Sequence, residues 1–289
     1  MEYELYKKQV IDALLLDAGF TFKKSLGQNF ITDKNVCPRM AEYSADQKTG
    51  VLEIGPGIGV LTAELAKNAK KVVTVELDKR LKPVLEKTLA DFNNVEIIFG
   101  DVMKLDLNKI IKEKFFDCEK VTVCANLPYY ITSPVIMMLL ESRLPVESIV
   151  VMVQKEAAER LCAEIPGRNV GAVTLATAFY AESEILFNVG RGSFTPPPKV
   201  DSAVICLKIR KTSPVTVKSE KNMFRLIRAA FNHRRKTLVN SVSACFVADK
   251  QTVLDAVEKA GLKETVRAEE LTLNQFAALS DEIMQTNGN

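Results

Sequence analysis

Short continuous apolar runs alternate along this chain with stretches in which apolar residues recur every three or four positions. Val51-Leu52-Glu53-Ile54, Lys71 to Glu76, Val95 to Phe99, Val121 to Ala125 and Ser148 to Val153 are strand-length runs rich in β-branched residues. Between them, Leu61 and Leu65 mark one face of a helix over Val60 to Asn68. Asp78 is placed to cap a helix running through Ala90, and Ser133 to cap another with Pro134 at its first position. Upstream, residues 4–20 read as an amphipathic helix with Leu5, Val10, Leu14 and Leu15 on one side, and a second helix spans about Asp33 to Ser44. Helical patterns at 155–164 and 172–181 continue the alternation. Glu184 to Val189 is a sixth strand and Ala203 to Ile209 a seventh, which is expected to be antiparallel because no helix separates the two.

Strands alternating with helices predict a doubly wound, mostly parallel sheet. After Lys211-Thr212-Ser213-Pro214 the pattern becomes purely helical. Ser219 caps a helix to about Phe231, Arg234 to Phe246 form another, and residues 249–260 a third that Gly261 stops. Thr272-Leu273-Asn274-Gln275 fits a capping box for a last helix. The fold class is therefore α/β: a Rossmann-like domain over residues 1–212 with a helix-and-loop N-terminal extension, and a small all-helical domain over 213–289.

Composition narrows the class. Hydrophobic residues make up 47% of 289, enough for a sizeable core. No apolar run approaches the roughly 20 residues of a membrane span. Glu2, Glu4, Asp12 and Asp17 make the N-terminus unlike a signal or transit peptide. Six scattered cysteines contain no C-x-x-C pair and suggest neither a zinc site nor a disulfide framework, which makes a reducing cytoplasm the expected location. The one histidine, His233, lies in a basic stretch, which argues against chemistry built on a histidine base. The net charge of +3 hides an asymmetry: between Lys218 and Asn240, seven Lys and Arg stand against the single acid Glu220. Arg225, Arg228, Arg234, Arg235 and Lys236 of this block, with Lys23 and Lys24 near the N-terminus, are candidate phosphate contacts, although a charge run is more often a solvated helix face.

The candidate chemistry sits at the strand ends. Gly55-Pro56-Gly57-Ile58-Gly59 joins a strand to a helix, and glycines there let the backbone approach a ligand. Glu76 ends the next strand, where an acid can hold both ribose hydroxyls. The third glycine comes one residue too early for the dinucleotide fingerprint, so a nucleotide without a pyrophosphate fits better, as S-adenosylmethionine does. Asp101 ends the third strand, where it can accept from an adenine amine or simply cap the next turn. The fourth strand ends in Asn126-Leu127-Pro128-Tyr129. An adenine amine is a poor nucleophile because its lone pair is delocalised into the ring. An Asn carbonyl and a neighbouring backbone carbonyl can each accept one N–H and localise that lone pair. Pro128 fixes the turn and favours an extended Leu127, and Tyr129 can stack on the base. A strand closed by a plain Pro turn is the other reading. Phe194, before Pro196-Pro197-Pro198, is either a second aromatic wall or a core plug.

Gln28-Asn29-Phe30, Glu53 to Gly59, Asn126 to Tyr129 and Phe194 to Ser202 together resemble the ribosomal RNA adenine dimethyltransferases, most closely the small-subunit (16S) branch whose loss gives kasugamycin resistance. The resemblance runs from about Lys23 to the C-terminus. It implies a class I S-adenosylmethionine-dependent methyltransferase fold. It also implies transfer of methyl groups from S-adenosylmethionine to N6 of two adjacent adenosines near the 3′ end of 16S ribosomal RNA, with a role in ribosome biogenesis. Cofactor contacts are implied at Asn29, Ile31, Gly55, Glu76, Asp101 and Asn126, and target-base contacts at Asn126, Leu127, Tyr129 and Phe194. Gly57 of the glycine loop joins the cofactor set, and Pro128, which fixes the turn, joins the catalytic set. Val170, where the family often has an aromatic, departs from the pattern. The expected partner is 16S rRNA within an assembling small subunit, met by a monomer, and nothing in the motifs demands a metal. The alternatives are a large-subunit RNA methylase of the macrolide-resistance type, a non-enzymatic assembly factor on the same fold and, least favoured by the glycine spacing, a nicotinamide dehydrogenase.

Overall fold

The computed structural model describes residues 4–19, 29–233, 235–245 and 248–286. In chain order the elements are α1 (Lys8–Asp17), β1 (Phe30–Ile31), α2 (Val36–Ser44), β2 (Thr49–Ile54), α3 (Val60–Asn68), β3 (Lys71–Glu76), α4 (Lys82–Thr88), β4 (Val95–Phe99), α5 (Leu107–Lys114) and β5 (Lys120–Asn126). They continue with α6 (Thr132–Glu141), β6 (Ser148–Gln154), α7 (Lys155–Leu161), α8 (Ala172–Tyr180), β7 (Ala181–Val189), β8 (Phe194–Thr195), β9 (Ser202–Ile209), α9 (Glu220–Phe231), α10 (Leu238–Cys245), α11 (Lys250–Lys259) and α12 (Leu273–Thr286).

Seven strands form one sheet in the order β4-β3-β2-β5-β6-β9-β7. The pairs from β4 through to β6 are parallel, and β9 is an antiparallel strand, paired with β6 along Ser202 to Lys208. Sheets covered on both faces need strands that are apolar on both sides. Accordingly every residue of β2 is buried, and so are Val121 to Ala125 of β5 and Ile149 to Val153 of β6. Ile11, Met40, Leu65, Leu81 and Leu85 from the covering helices are fully buried. Each such side chain contributes roughly 1.5–3 kcal/mol.

Contacts divide the chain into two compact units, residues 1–158 with 182–209, and residues 159–181 with 210–289. The linear pattern does not reveal that 159–181 groups with the C-terminal helices. The link is aromatic: Tyr180 of α8 stacks on Phe224 of α9 at 5.5 Å, and Phe179 meets the same ring edge-on at 5.1 Å. Within this second unit Ser219 Oγ accepts from Asn222 N at 3.3 Å, and Gly261 ends α11 with φ +67°. Thr272 and Gln275 form the expected reciprocal box, with Thr272 N donating to Gln275 Oε1 at 2.9 Å and Gln275 N to Thr272 Oγ1 at 3.3 Å. Val170 is fully buried in this unit.

Local expectations fail where turns intervene. Ser133 does not cap α6: the helix begins at Thr132, because a 3₁₀ turn over Tyr129–Ile131 carries the chain straight into it. Asp78 caps only a 3₁₀ turn over Lys79–Leu81, accepting from Arg80 N at 3.1 Å, and α4 starts after it with a proline in its first turn. Helix α5, capped by Asp106, was not marked by the apolar pattern. The two-residue strands β1 and β8 are too short for any periodicity to show, yet they pair antiparallel as a small separate sheet.

A candidate ligand pocket at the carboxyl edge of the sheet

The parallel register brings four strand ends side by side. Ile54 of β2 pairs with Val75 of β3 and Ala125 of β5, and Glu76 pairs with Phe99 of β4. Outside this edge lies a cavity of about 340 Å³, of a size for a nucleoside-like ligand. Its lining includes Asn29, Ile31, Gly55, Gly57, Glu76 and Asp101. Asn126, Leu127, Pro128, Tyr129 and Phe194 line it too. Every pocket residue singled out from the sequence therefore faces one space.

The glycine loop shapes the floor. Gly55 has φ +73°, and a Cβ built on it would meet nothing within 4 Å, so the loop leaves open room where a ligand must approach backbone. Gly57, φ +59°, lies against Phe30, whose ring would be 3.4 Å from an added Cβ. Phe30 belongs to β1, which pairs with β8 through Phe30↔Thr195 and Ile31↔Phe194. Thr32 N donates to Ser193 O at 2.8 Å, and Ser193 Oγ donates to Asp33 Oδ2 at 3.0 Å. The segment carrying Asn29 and Ile31 is thus tied to the loop carrying Phe194. Phe194 is only 4% exposed, so it is a pocket wall and a core side chain at once.

Three acids lie near this edge. Glu76 is 7% exposed and accepts from Asp78 N at 2.7 Å. Burial raises its pKa, and N–H groups of Asp78 and Gly57 oppose the rise. Asp101 Oδ1 accepts from Met103 N at 3.0 Å, so its carboxylate caps the following turn while also lining the pocket. Glu53 is the odd member, fully buried one residue from the end of β2. Its Oε2 accepts from Thr62 Oγ1 of α3 at 2.6 Å, bracing the two flanks of the glycine loop, while Oε1 has no partner among the described residues. Desolvation pushes Glu53 up to about 7, against the Thr62 bond that lowers it.

That raised value fixes the sign of a pH effect. The folded state holds the Glu53 proton where the unfolded chain has lost it, so stability falls as pH rises from about 4.5 to about 7. Removing the titration with Glu53→Gln is expected to flatten this fall, improving the variant relative to wild type by about 3 kcal/mol between pH 4 and pH 8. Urea unfolding at the two pH values checks it, and a constant difference between the proteins contradicts it. Glu76 contributes a slope of the same sign in both proteins.

At the β5 end, Pro128 has φ −56° and ψ 133°, and its carbonyl accepts from Ile131 N at 3.1 Å and Thr132 Oγ1 at 3.3 Å. The Leu127 carbonyl and the Asn126 side-chain amide have no hydrogen-bond partner among the described residues. Leu127 N donates to Met152 O at 3.4 Å, and its side chain is buried. Tyr129 is half-buried, with its hydroxyl 2.7 Å from Ser202 Oγ.

Several pocket residues escaped the sequence reading. Leu77 and Met103 also line the cavity although they are 54% and 44% exposed. Leu77 directly follows Glu76 and Met103 lies two positions after Asp101, so an apolar residue within two positions of a strand-end acid is the sequence signal that could have found them. They offer apolar faces to a flat ring, next to a buried acid suited to a diol and a glycine floor suited to a close-packed chain. That donor set fits S-adenosylmethionine.

Of the candidate phosphate contacts, Arg225 and Arg228 are exposed on α9, whose other face buries Met223, Phe224, Leu226 and Ile227. Arg235 and Lys236 are exposed beyond the end of that helix. Lys23, Lys24 and Arg234 lie outside the described residues. Among the described residues no group of three or more His, Cys, Asp or Glu is placed to hold a metal, and no helix is long and apolar enough to cross a membrane.

Residues 19–285 match the family model of the ribosomal RNA adenine dimethylases. The ribosomal RNA small subunit methyltransferase A of Bacillus pumilus (strain SAFR-032) is 46% identical over 272 residues, which cover 93% of either chain. A dimethyladenosine transferase from Plasmodium falciparum superposes with a TM-score of 0.70 at 29% identity, covering 86% of this chain and 95% of that one. The 23S rRNA methyltransferase ErmE superposes with a TM-score of 0.65 at 25% identity, covering 89% and 100%.

Proposed function

The chain belongs to the ribosomal RNA adenine dimethylase family, and from that membership we propose that it transfers methyl groups from S-adenosylmethionine to N6 of two adjacent adenosines near the 3′ end of 16S ribosomal RNA. Each adenosine receives two methyls. The substrate is the RNA within an assembling small subunit, the protein acts as a cytoplasmic monomer, and the reaction contributes to ribosome biogenesis. The observation that carries the reading is one cavity lined by Gly55, Glu76, Asp101 and the whole Asn126 to Tyr129 segment. The small-subunit assignment is supported by the high identity to a small-subunit enzyme over nearly the whole chain. A large-subunit enzyme shares the fold at lower identity.

When bound, S-adenosylmethionine supplies an electrophilic methyl group. Glu76 would hold the ribose hydroxyls and Asp101 the adenine amine, with Leu77 and Met103 supplying apolar lining beside them. Asn29, Ile31 and the backbone at Gly55 and Gly57 hold the remainder. The target adenosine is turned out of its stack into the pocket. Tyr129 and Phe194 wall the base, while the Asn126 side-chain carbonyl and the Leu127 carbonyl each accept an N–H of the amine. Pro128 keeps its own carbonyl inside the turn and leaves that of Leu127 for the substrate. Positioning and fixed dipoles then carry the catalysis. No strong base is needed, since the N-methylated adeninium is itself acidic and sheds its proton readily.

The transferase chemistry is assigned to residues 1–212 and phosphate binding to the helical domain, 213–289, with Lys23 and Lys24 reaching the same backbone. Changing Arg225, Arg228, Arg235 and Lys236 together to Ala is expected to weaken RNA binding and to shallow the slope of log K against log salt by about 0.7–0.9 for each phosphate left unneutralised. Filter binding across a salt series measures it. An unchanged slope reduces the block to a solvated face. Transfer itself is tested by offering unmethylated small subunits and naked 16S RNA side by side, with more transfer to the subunits expected.

A further inference from the structure

Ser202 ends the Pro-rich loop that begins at Phe194, and it opens β9 fully buried. Its hydroxyl lies 2.7 Å from the Tyr129 hydroxyl, and neither group has another hydrogen-bond partner among the described residues. The two are 73 positions apart in sequence. Register explains how they meet. Asn126 of β5 pairs with Met152 of β6, and further along β6 Gln154 pairs with Ser202. The Tyr129 side chain therefore reaches from the turn after β5, across the end of β6, to the first residue of β9. Ser202 is itself well anchored. Asp201 before it takes Lys155 N on its carbonyl at 3.0 Å and Arg191 N on Oδ1 at 2.9 Å.

A tyrosine ring has two side-chain torsions. The 3₁₀ turn holds one end of Tyr129, and a hydrogen bond at the other end fixes the axis of the ring. The same loop carries Phe194 at its start and Ser202 at its end, so the bond references one aromatic wall to the other. We propose that Ser202 is a positioning residue for methyl transfer: its hydroxyl holds the Tyr129 ring in the plane that receives the target adenine. The inference rests on the adenine-N6 reading of the pocket.

The test is a double-mutant cycle on kcat for transfer to unmethylated small subunits, using wild type, Ser202→Ala, Tyr129→Phe and the double variant. Misplacement by about 1 Å can cost about 10²-fold, and loss of one tether is expected to lower kcat by about tenfold. Each single variant should lose that factor with KM for S-adenosylmethionine unchanged, and the double variant should lose no more than either single one. A readout free of activity accompanies it. In ligand-free protein labelled with 3-fluorotyrosine, one of six tyrosine resonances disappears in Tyr129→Phe, and that same resonance should shift in Ser202→Ala. Additive losses, a parallel rise in the cofactor KM, or an unmoved Tyr129 resonance overturn the proposal. If Ser202→Ala does not fold, Tyr129→Phe alone decides, and full activity in that variant overturns it. A wild type that fails to methylate small subunits overturns the functional reading itself, an outcome distinct from an active wild type with additive variants.

Discussion

Asn126→Ala lowers kcat for methyl transfer by about 10²–10³-fold, the scale found when one preorganised hydrogen-bonding group is removed from a reacting centre. The adenine amine must surrender conjugation before it can attack, and Asn126 is the side chain at the end of β5 with an amide that no described residue engages. Leu127 supplies a backbone carbonyl that the substitution leaves in place, so residual transfer remains. Cofactor binding falls less than turnover, because Gly55, Glu76 and Asp101 lie on other strands or at their ends. The fold is undisturbed, since Asn126 is only partly buried. Tritiated-methyl transfer with cofactor affinity measured in parallel checks this, and full activity would remove Asn126 from the reaction.

Glu76→Ala carries the second large effect. A carboxylate accepting two hydroxyl groups makes two charge-assisted hydrogen bonds, each worth about 1.5–3 kcal/mol. Affinity for S-adenosylmethionine should fall by about 10²-fold or more, with RNA affinity nearly unchanged. The pH dependence follows from burial, which lifts the Glu76 pKa. The charged form binds the diol best, so cofactor affinity drops on acidification, and the drop begins at a higher pH than an ordinary carboxylate would give. Calorimetry at several pH values measures both effects. Unchanged cofactor binding in Glu76→Ala overturns the assignment.

The parts of this site legible in the sequence share one property: each stands at a break in an apolar run. Glu76 and Asn126 end apolar strands and Gly55 and Asp101 follow two others, where a polar or glycine residue is conspicuous, and parallel pairing brings all four to one edge. Ser202 closes the Phe194 to Ser202 motif, but its pairing with Tyr129 was not legible because it depends on the register of β9 against β6. Leu77 and Met103 carry no mark in the apolar pattern, and only their exposure beside the cavity sets them apart. Glu53 stands in a strand run and in the Glu53 to Gly59 motif with no role marked by the sequence. Only the packing of α3 on β2 gives its carboxyl a partner on one oxygen and none on the other. At Asp101 and Phe194 the plain structural role is present and leaves the ligand reading open. Asp101 caps a turn and lines the pocket, and Phe194 is core and wall together. The grouping of 159–181 with the C-terminal helices depends on ring contacts between residues more than 40 positions apart, beyond the reach of periodicity.

Small subunits from cells lacking the modification, incubated with this protein and S-adenosylmethionine and then mapped by primer extension, test the central claim most directly. The account predicts dimethylation at two adjacent adenosines near the 3′ end of 16S RNA, lost with Asn126→Ala. Methylation confined to large-subunit RNA, or none on either subunit, would contradict it.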